Sequence, residues 1–88
     1  MGKSEMTQTA QPPRYFEVEG EIKSFNPQKG YGFVTPDDKE LGDLFLHSRC
    51  LEEHGLQTIE PTTRVVCNVE RRRRDESVRV KKILRFGH

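Results

Sequence analysis

Residues 29–47 read KGYGFVTPDDKELGDLFLH, and the fold turns on how their side chains alternate. Successive side chains of a strand point to opposite faces, so residues two apart share a face. Over Tyr31–Thr35, Tyr31 and Phe33 share one face while Gly32 and Val34 take the other. After a polar turn through Gly42, the run Asp43–Ser48 puts Phe45 and His47 on one face and Leu44 and Leu46 on the other. Val34, Leu44 and Leu46 are the natural core set. With the two strands as neighbours, Tyr31, Phe33, Phe45 and His47 then form one patch of ring side chains on the opposite surface.

Burial preference alone favours the reverse polarity, with Phe33 and Phe45 inside, because large apolar residues usually bury. Three features favour the outward placement. Gly30 and Gly32 flank Tyr31, which leaves its ring room and lets a ligand approach the backbone. His47 is in phase with Phe45, and a histidine is a poor centre for a small barrel. Lys23 and Lys29 lie close by in sequence, ready to meet phosphates.

Outside this stretch the chain continues as short strands and turns. Phe16–Asn26 carries Val18, Ile22 and Phe25, with Gly20 expected to mark a bulge or sharp bend. Valine-rich Arg64–Arg71 and Ser77–Leu84 are two further strands, joined by a charged turn. Residues 49–63 are expected to be irregular, with one short helical turn at most within Leu51–Leu56. Five short strands and no long helix predict a closed or nearly closed all-β barrel, since an open sheet leaves two pairing edges. Residues 1–14, rich in Thr, Gln and Ser around Pro12-Pro13, are expected to be a disordered leader to a domain over 15–86.

The chain has 88 residues, which suits one domain, and its 33% charged against 32% hydrophobic residues is polar for a globular one. The net charge of +1 hides an asymmetry: residues 14–63 hold five basic and ten acidic side chains, residues 64–88 nine and three. The basic end points to a polyanionic partner, or is a solvated charged edge. No apolar run is long enough to span a bilayer, and the start lacks the apolar stretch of a secretory signal. A cytoplasmic protein without a membrane partner, small-molecule substrate or cofactor is the expectation, with Cys50 and Cys67 reduced rather than bridged. Exposed rings beside lysines suit unpaired strands: each base offers a π-face that a duplex hides, and stacking contributes about 1–3 kcal/mol per base.

Three segments carry a family resemblance. Residues 29–34, KGYGFV, look like the first ribonucleoprotein motif, and 43–47, DLFLH, look like the second as cold-shock domains carry it. Residues 20–26, GEIKSFN, are similar to the first strand of that domain. The match runs in order from about Val18 to Leu84. RNA recognition motifs carry a similar first string, but after a strand, a helix and another strand, for which the residues ahead of Lys29 leave no room. The resemblance implies a five-stranded antiparallel OB-type barrel that binds single-stranded RNA or DNA. It implies a binding face containing Lys23, Phe25, Lys29, Tyr31, Phe33, Phe45 and His47. Members of that family commonly act as RNA chaperones, and some act on transcription termination.

The chain departs from the family at Ser24, Ser48 and Leu56, where rings usually stand. It also departs between its last two strands, where Arg71, Arg72, Arg73 and Arg74 precede Asp75 and Glu76. Those arginines are expected to contact phosphates or stack on bases, with a solvated hairpin tip as the alternative. A zinc set of His47, Cys50, His54 and Cys67 competes weakly with a buried thiol at Cys67. Catalysis lacks an oxyanion-forming loop or an orienting third group beside any Cys–His pair. The main alternative function is a barrel whose ring patch docks a partner protein. A monomer is expected, or one half of a tandem-domain chain.

Overall fold

The computed structural model describes residues 13–87, so nearly all of the expected leader lies outside the described residues. Five strands, β1 (Arg14–Asn26), β2 (Tyr31–Pro36), β3 (Leu44–His47), β4 (Arg64–Arg71) and β5 (Val78–Phe86), close a barrel in the order β1-β2-β3-β5-β4. A 3₁₀ turn at Lys39–Leu41 lies between β2 and β3, and a short helix α1 (Ser48–Glu52) follows β3 directly. Four joints of the barrel are antiparallel. The fifth, between β3 and β5, is parallel and rests on the single pair Phe45–Arg79. The expectation of an antiparallel barrel therefore holds except at this seam. The chain from β3 to β5 passes across the barrel through α1 and β4, so β5 returns beside β3 in the same direction.

The first strand starts at Arg14, one residue inside the expected leader, and belongs to two pairings at once. Arg14–Glu21 run against β4, and Gly20–Asn26 run against β2. At the overlap of the two pairings, β2 crowds Gly20. A Cβ there would lie 2.8 Å from Pro36 Cα and against the Thr35 carbonyl, so only glycine fits. The bulge expected at Gly20 falls instead at Lys23, where the register slips between Ile22 and Ser24.

The core is aliphatic. Ile22, Val34, Leu44, Leu46, Val65, Val69 and Ile83 are fully enclosed, with Leu51 of α1 buried beside them. Leu51 and Cys50 turn α1 inward onto the core, where the helix packs against β3 and β5. The helix begins before the turn expected within Leu51–Leu56. Five residues are too few to show an apolar period, so the sequence pattern gives no sign of it. Cys67 and Cys50 are buried free thiols. Burial pushes the Cys67 thiol up to about 12, with the nearby Cys50 adding to the shift. Burial raises the Cys50 thiol too.

Candidate nucleic-acid interface

The β2–β3 ladder pairs Tyr31 with His47 and Phe33 with Phe45, while Gly32 meets Leu46 and Val34 meets Leu44. Directly opposite residues share a face. Val34, Leu44 and Leu46 are wholly buried, which fixes the polarity: the rings lie outside. Phe33 and Phe45 are half-buried, His47 is exposed and Tyr31 is 37% exposed. Tyr31 stacks on Phe45 at 5.6 Å between ring centres, and Phe33 stands edge-on to Phe45 at 6.0 Å and to Tyr31 at 6.3 Å. His47 extends the patch, 6.5 Å from Phe45.

Local hydrogen bonds hold this patch in place. Asn26 Oδ1 accepts from the amides of Gln28 and Lys29, which builds the β1–β2 turn and leaves Lys29 exposed. The Ser48 amide donates to the Gly30 carbonyl at 2.9 Å, tying the end of β3 to the start of β2. His47 also caps α1: its Nδ1 accepts from the Arg49 amide at 3.0 Å. That bond requires the Nε2–H tautomer. His47 is thus both a patch ring and a helix cap, a second role that the motif does not reveal.

The other expected site residues divide. Lys23, at the bulge, is exposed but pairs with Asp43 at 2.7 Å. Phe25 stands outside the ring cluster. Simple alternation from Ile22 puts Phe25 outward, but the bulge reverses the phase. Ser24 then faces outward opposite Phe33, and Phe25 sits opposite Gly32, half-buried against the core. Gly32 has a different purpose from the one expected. A Cβ there would lie 2.6 Å from Phe25 Cα and against the Ser24 carbonyl, so its missing side chain lets β1 and β2 close. Leu56 packs on the core rather than beside the rings.

Arg71 is a strand residue, not part of the turn. Its guanidinium lies 5.8 Å over the Phe16 ring, and its buried Nε has no hydrogen-bond partner. Arg72, Arg73 and Arg74 occupy an exposed turn closed by the Arg72 amide donating to the Ser77 carbonyl. The Asp75 carboxylate accepts from the Ser77 amide and hydroxyl, which hold it below the usual carboxylate range; the Arg72 charge contributes least. Among the described residues no acid ion-pairs with the three turn arginines.

Three cations beside the patch were missed by sequence reasoning: Arg49, Arg79 and Lys81. Arg79 is the register partner of Phe45 across the parallel seam, and its Nε donates to buried Glu70 at 3.1 Å. Alternation between Val78 and Val80 does put Arg79 outward, but nothing local says that residue 79 stands beside residue 45.

The four residues of the weighed zinc set have other partners. Cys50 Sγ points at the carbonyls of Val80 and Lys81, and a His54 ring nitrogen lies 2.7 Å from the Ile83 carbonyl. Cys67 is in the core. No cluster of His, Cys, Asp or Glu suited to a metal occurs among the described residues, and none of their helices is long and apolar enough to cross a membrane.

Known proteins resemble this chain over much of its length. The family model described as "'Cold-shock' DNA-binding domain" matches residues 18–83. A cold shock protein of Arthrobacter globiformis is 43% identical over 48 residues, covering 54% of this chain and 70% of that protein. The cold shock-like protein CspE of Escherichia coli is 37% identical over 49 residues, 56% of this chain and 70% of that one. The cold shock-like protein CspJ of Salmonella typhimurium is 35% identical over 54 residues, 61% and 76% of the two chains.

Proposed function

This chain belongs to the cold-shock DNA-binding domain family, and on that premise we propose that it binds unpaired RNA or DNA by stacking bases on Tyr31, Phe33, Phe45 and His47. The observation that carries this reading is the polarity of β2 and β3. A barrel with an ample aliphatic core still leaves three aromatic rings and an imidazole grouped on its outer face. Rings placed there do little for the core, and they match what a base needs.

Lys29 and the Arg72–Arg74 turn supply phosphate contacts, and Lys23 joins them by exchanging its pairing with Asp43 for a phosphate. Phe25 and Arg71 serve the barrel: one covers Gly32, the other lies against Phe16. With Ser24 in place of an expected ring beside Phe33, stacking is reduced and phosphate contact carries more of the affinity. Such binding tolerates many sequences, which suits an RNA chaperone or a regulator of transcription or translation under stress, acting in the cytoplasm as a monomer.

Titration with heptathymidine or oligouridine at two salt concentrations tests this. The chain has no Trp and two Tyr, so Tyr15→Phe leaves Tyr31 as the single reporter. Its emission should fall on binding, and amides of residues 31–34 and 45–47 should shift. Single strands lose affinity with a log–log slope of about 0.7 per phosphate contact. Replacing Arg72, Arg73 and Arg74 by Gln should lower that slope by about 2. An unchanged slope removes the turn from the site; an unchanged Tyr31 signal at low salt removes the patch.

A further inference from the structure

The parallel seam leaves an opening beside the ring patch. β3 ends at His47 after four residues and meets β5 through one pair, so beyond Phe45 and Arg79 the two strands separate. At that point the Val80 and Lys81 carbonyls of β5 accept from the Cys50 thiol of α1. The result is a groove of about 220 Å³ that starts at Phe45 and His47 and is walled by Arg49, Arg79 and Lys81.

Its charge is one-sided. Among the described residues neither Arg49 nor Lys81 makes an ion pair. The acid bonded to Arg79 is Glu70, itself nearly enclosed, and that bond uses only Nε. Both Nη groups of a guanidinium fixed in this way stay free to donate, the geometry suited to a phosphate. A buried carboxylate behind an arginine also fixes the direction of a side chain that would otherwise lose entropy on binding.

We propose that this groove is a phosphate subsite which takes the backbone of a single strand as it leaves the ring patch, with Arg79, Arg49 and Lys81 as its ligands and Glu70 as the positioning residue for Arg79. The subsite rests on the reading that the rings stack bases, and it lengthens the strand that the barrel engages: a trinucleotide occupies the rings, and a strand that runs on past Phe45 crosses the seam. Each phosphate contact is worth about fivefold in affinity for every tenfold drop in salt, from the slope of about 0.7.

The test compares trithymidine with heptathymidine on the full chain between 0.05 and about 0.5 M salt, a span over which each contact counts about fivefold. Arg49→Gln combined with Lys81→Gln leaves the Glu70–Arg79 pair intact. That variant should lower the heptathymidine salt slope by about 1.4 and leave trithymidine binding unchanged. Glu70→Gln with Arg79→Gln removes the buried charge together with its partner, which avoids a misfolded single variant, and should lower the slope by about 0.7. Amides of Arg49 and Lys81 should shift with heptathymidine and stay still with trithymidine. If Phe45→Ala weakens trithymidine binding while both double variants bind heptathymidine with the original slope, the groove is not a subsite. If Phe45→Ala leaves trithymidine binding unchanged, the ring reading itself fails and the subsite falls with it.

Discussion

Phe45 and Leu46 are neighbours on one strand with opposite surroundings, and truncating each to alanine separates binding from folding. Leu46 is wholly buried. Removing it deletes core volume and leaves a cavity, which costs about 2–5 kcal/mol. A domain of this size has a total stability of roughly 5–10 kcal/mol, so Leu46→Ala should lower the urea midpoint by about a fifth or more. Phe45 is half-exposed, and its ordered neighbours are the Tyr31 stack and the Phe33 edge contact. Aromatic pairs contribute about 0.5–1.5 kcal/mol each, and partial exposure puts these at the low end. Phe45→Ala should therefore cost about 1–2 kcal/mol of stability. Its binding loss should be at least as large, about 1–3 kcal/mol for one stacked base, or five- to 150-fold in Kd. Urea denaturation followed by far-UV circular dichroism measures the first quantity, and heptathymidine titration of the folded protein measures the second. If Phe45→Ala unfolds the barrel as readily as Leu46→Ala, or leaves Kd unchanged, the outward placement of the rings has no functional meaning.

Three further outcomes follow from single contacts. His47→Ala should lose both a ring and the acceptor for the Arg49 amide, costing about 1 kcal/mol of stability, whereas His47→Asn should keep the cap and lose only binding; thermal melts and oligonucleotide titrations of the pair separate the roles. Gly32→Ala should destabilise by more than about 2 kcal/mol, because the new methyl group meets backbone atoms of Ser24 and Phe25 that cannot rotate away; a urea midpoint equal to that of the parent chain would contradict this. Hydrogen bonds from the Arg64 guanidinium hold the Asp37 carboxyl below the usual carboxylate range. A lowered folded-state value stabilises the fold above the ordinary carboxylate range and is lost as pH falls through it. Arg64→Gln should therefore move the Asp37 titration toward the ordinary value in carbon-detected NMR and flatten the acid limb of the stability profile.

Alternation along residues 31–35 and 43–48 sorts the side chains into an aliphatic and a ring face, because period 2 is a local property; the glycines around Tyr31, the phase of His47 and the family resemblance decide which face is outward, and the count of short strands gives the all-β class. The misreadings share one origin, in contacts that local pattern does not encode. The resemblance puts Phe25 in the binding face and simple alternation from Ile22 agrees, but a one-residue bulge at Lys23 reverses every side chain after it, and Lys23 carries no mark of a bulge. Gly32 was assigned to ligand access when its neighbour is the backbone of β1. Arg71 was grouped with the arginines that follow it, although its strand pairing with Arg14 extends β4 through it. Arg79 escaped notice because its relation to Phe45 exists only once β5 has returned beside β3.

That return also decides how the barrel opens. Phe45 and Arg79 lie 34 residues apart in the chain, and closing a loop of that length costs about 3 kcal/mol in entropy. One ladder pair repays about 1 kcal/mol of it. Side-chain packing of Leu44, Leu46, Val80 and Ile83 must supply the rest. The barrel is thus a rolled sheet with a single slit, and thermal fluctuation should part the slit before any other joint. Amides of β3 and the start of β5 should exchange with deuterium faster than those of β1 and β4. The same slit runs beside the rings, so a strand that lies across it would act as a lace, and its length would set how much the fold is stabilised by binding.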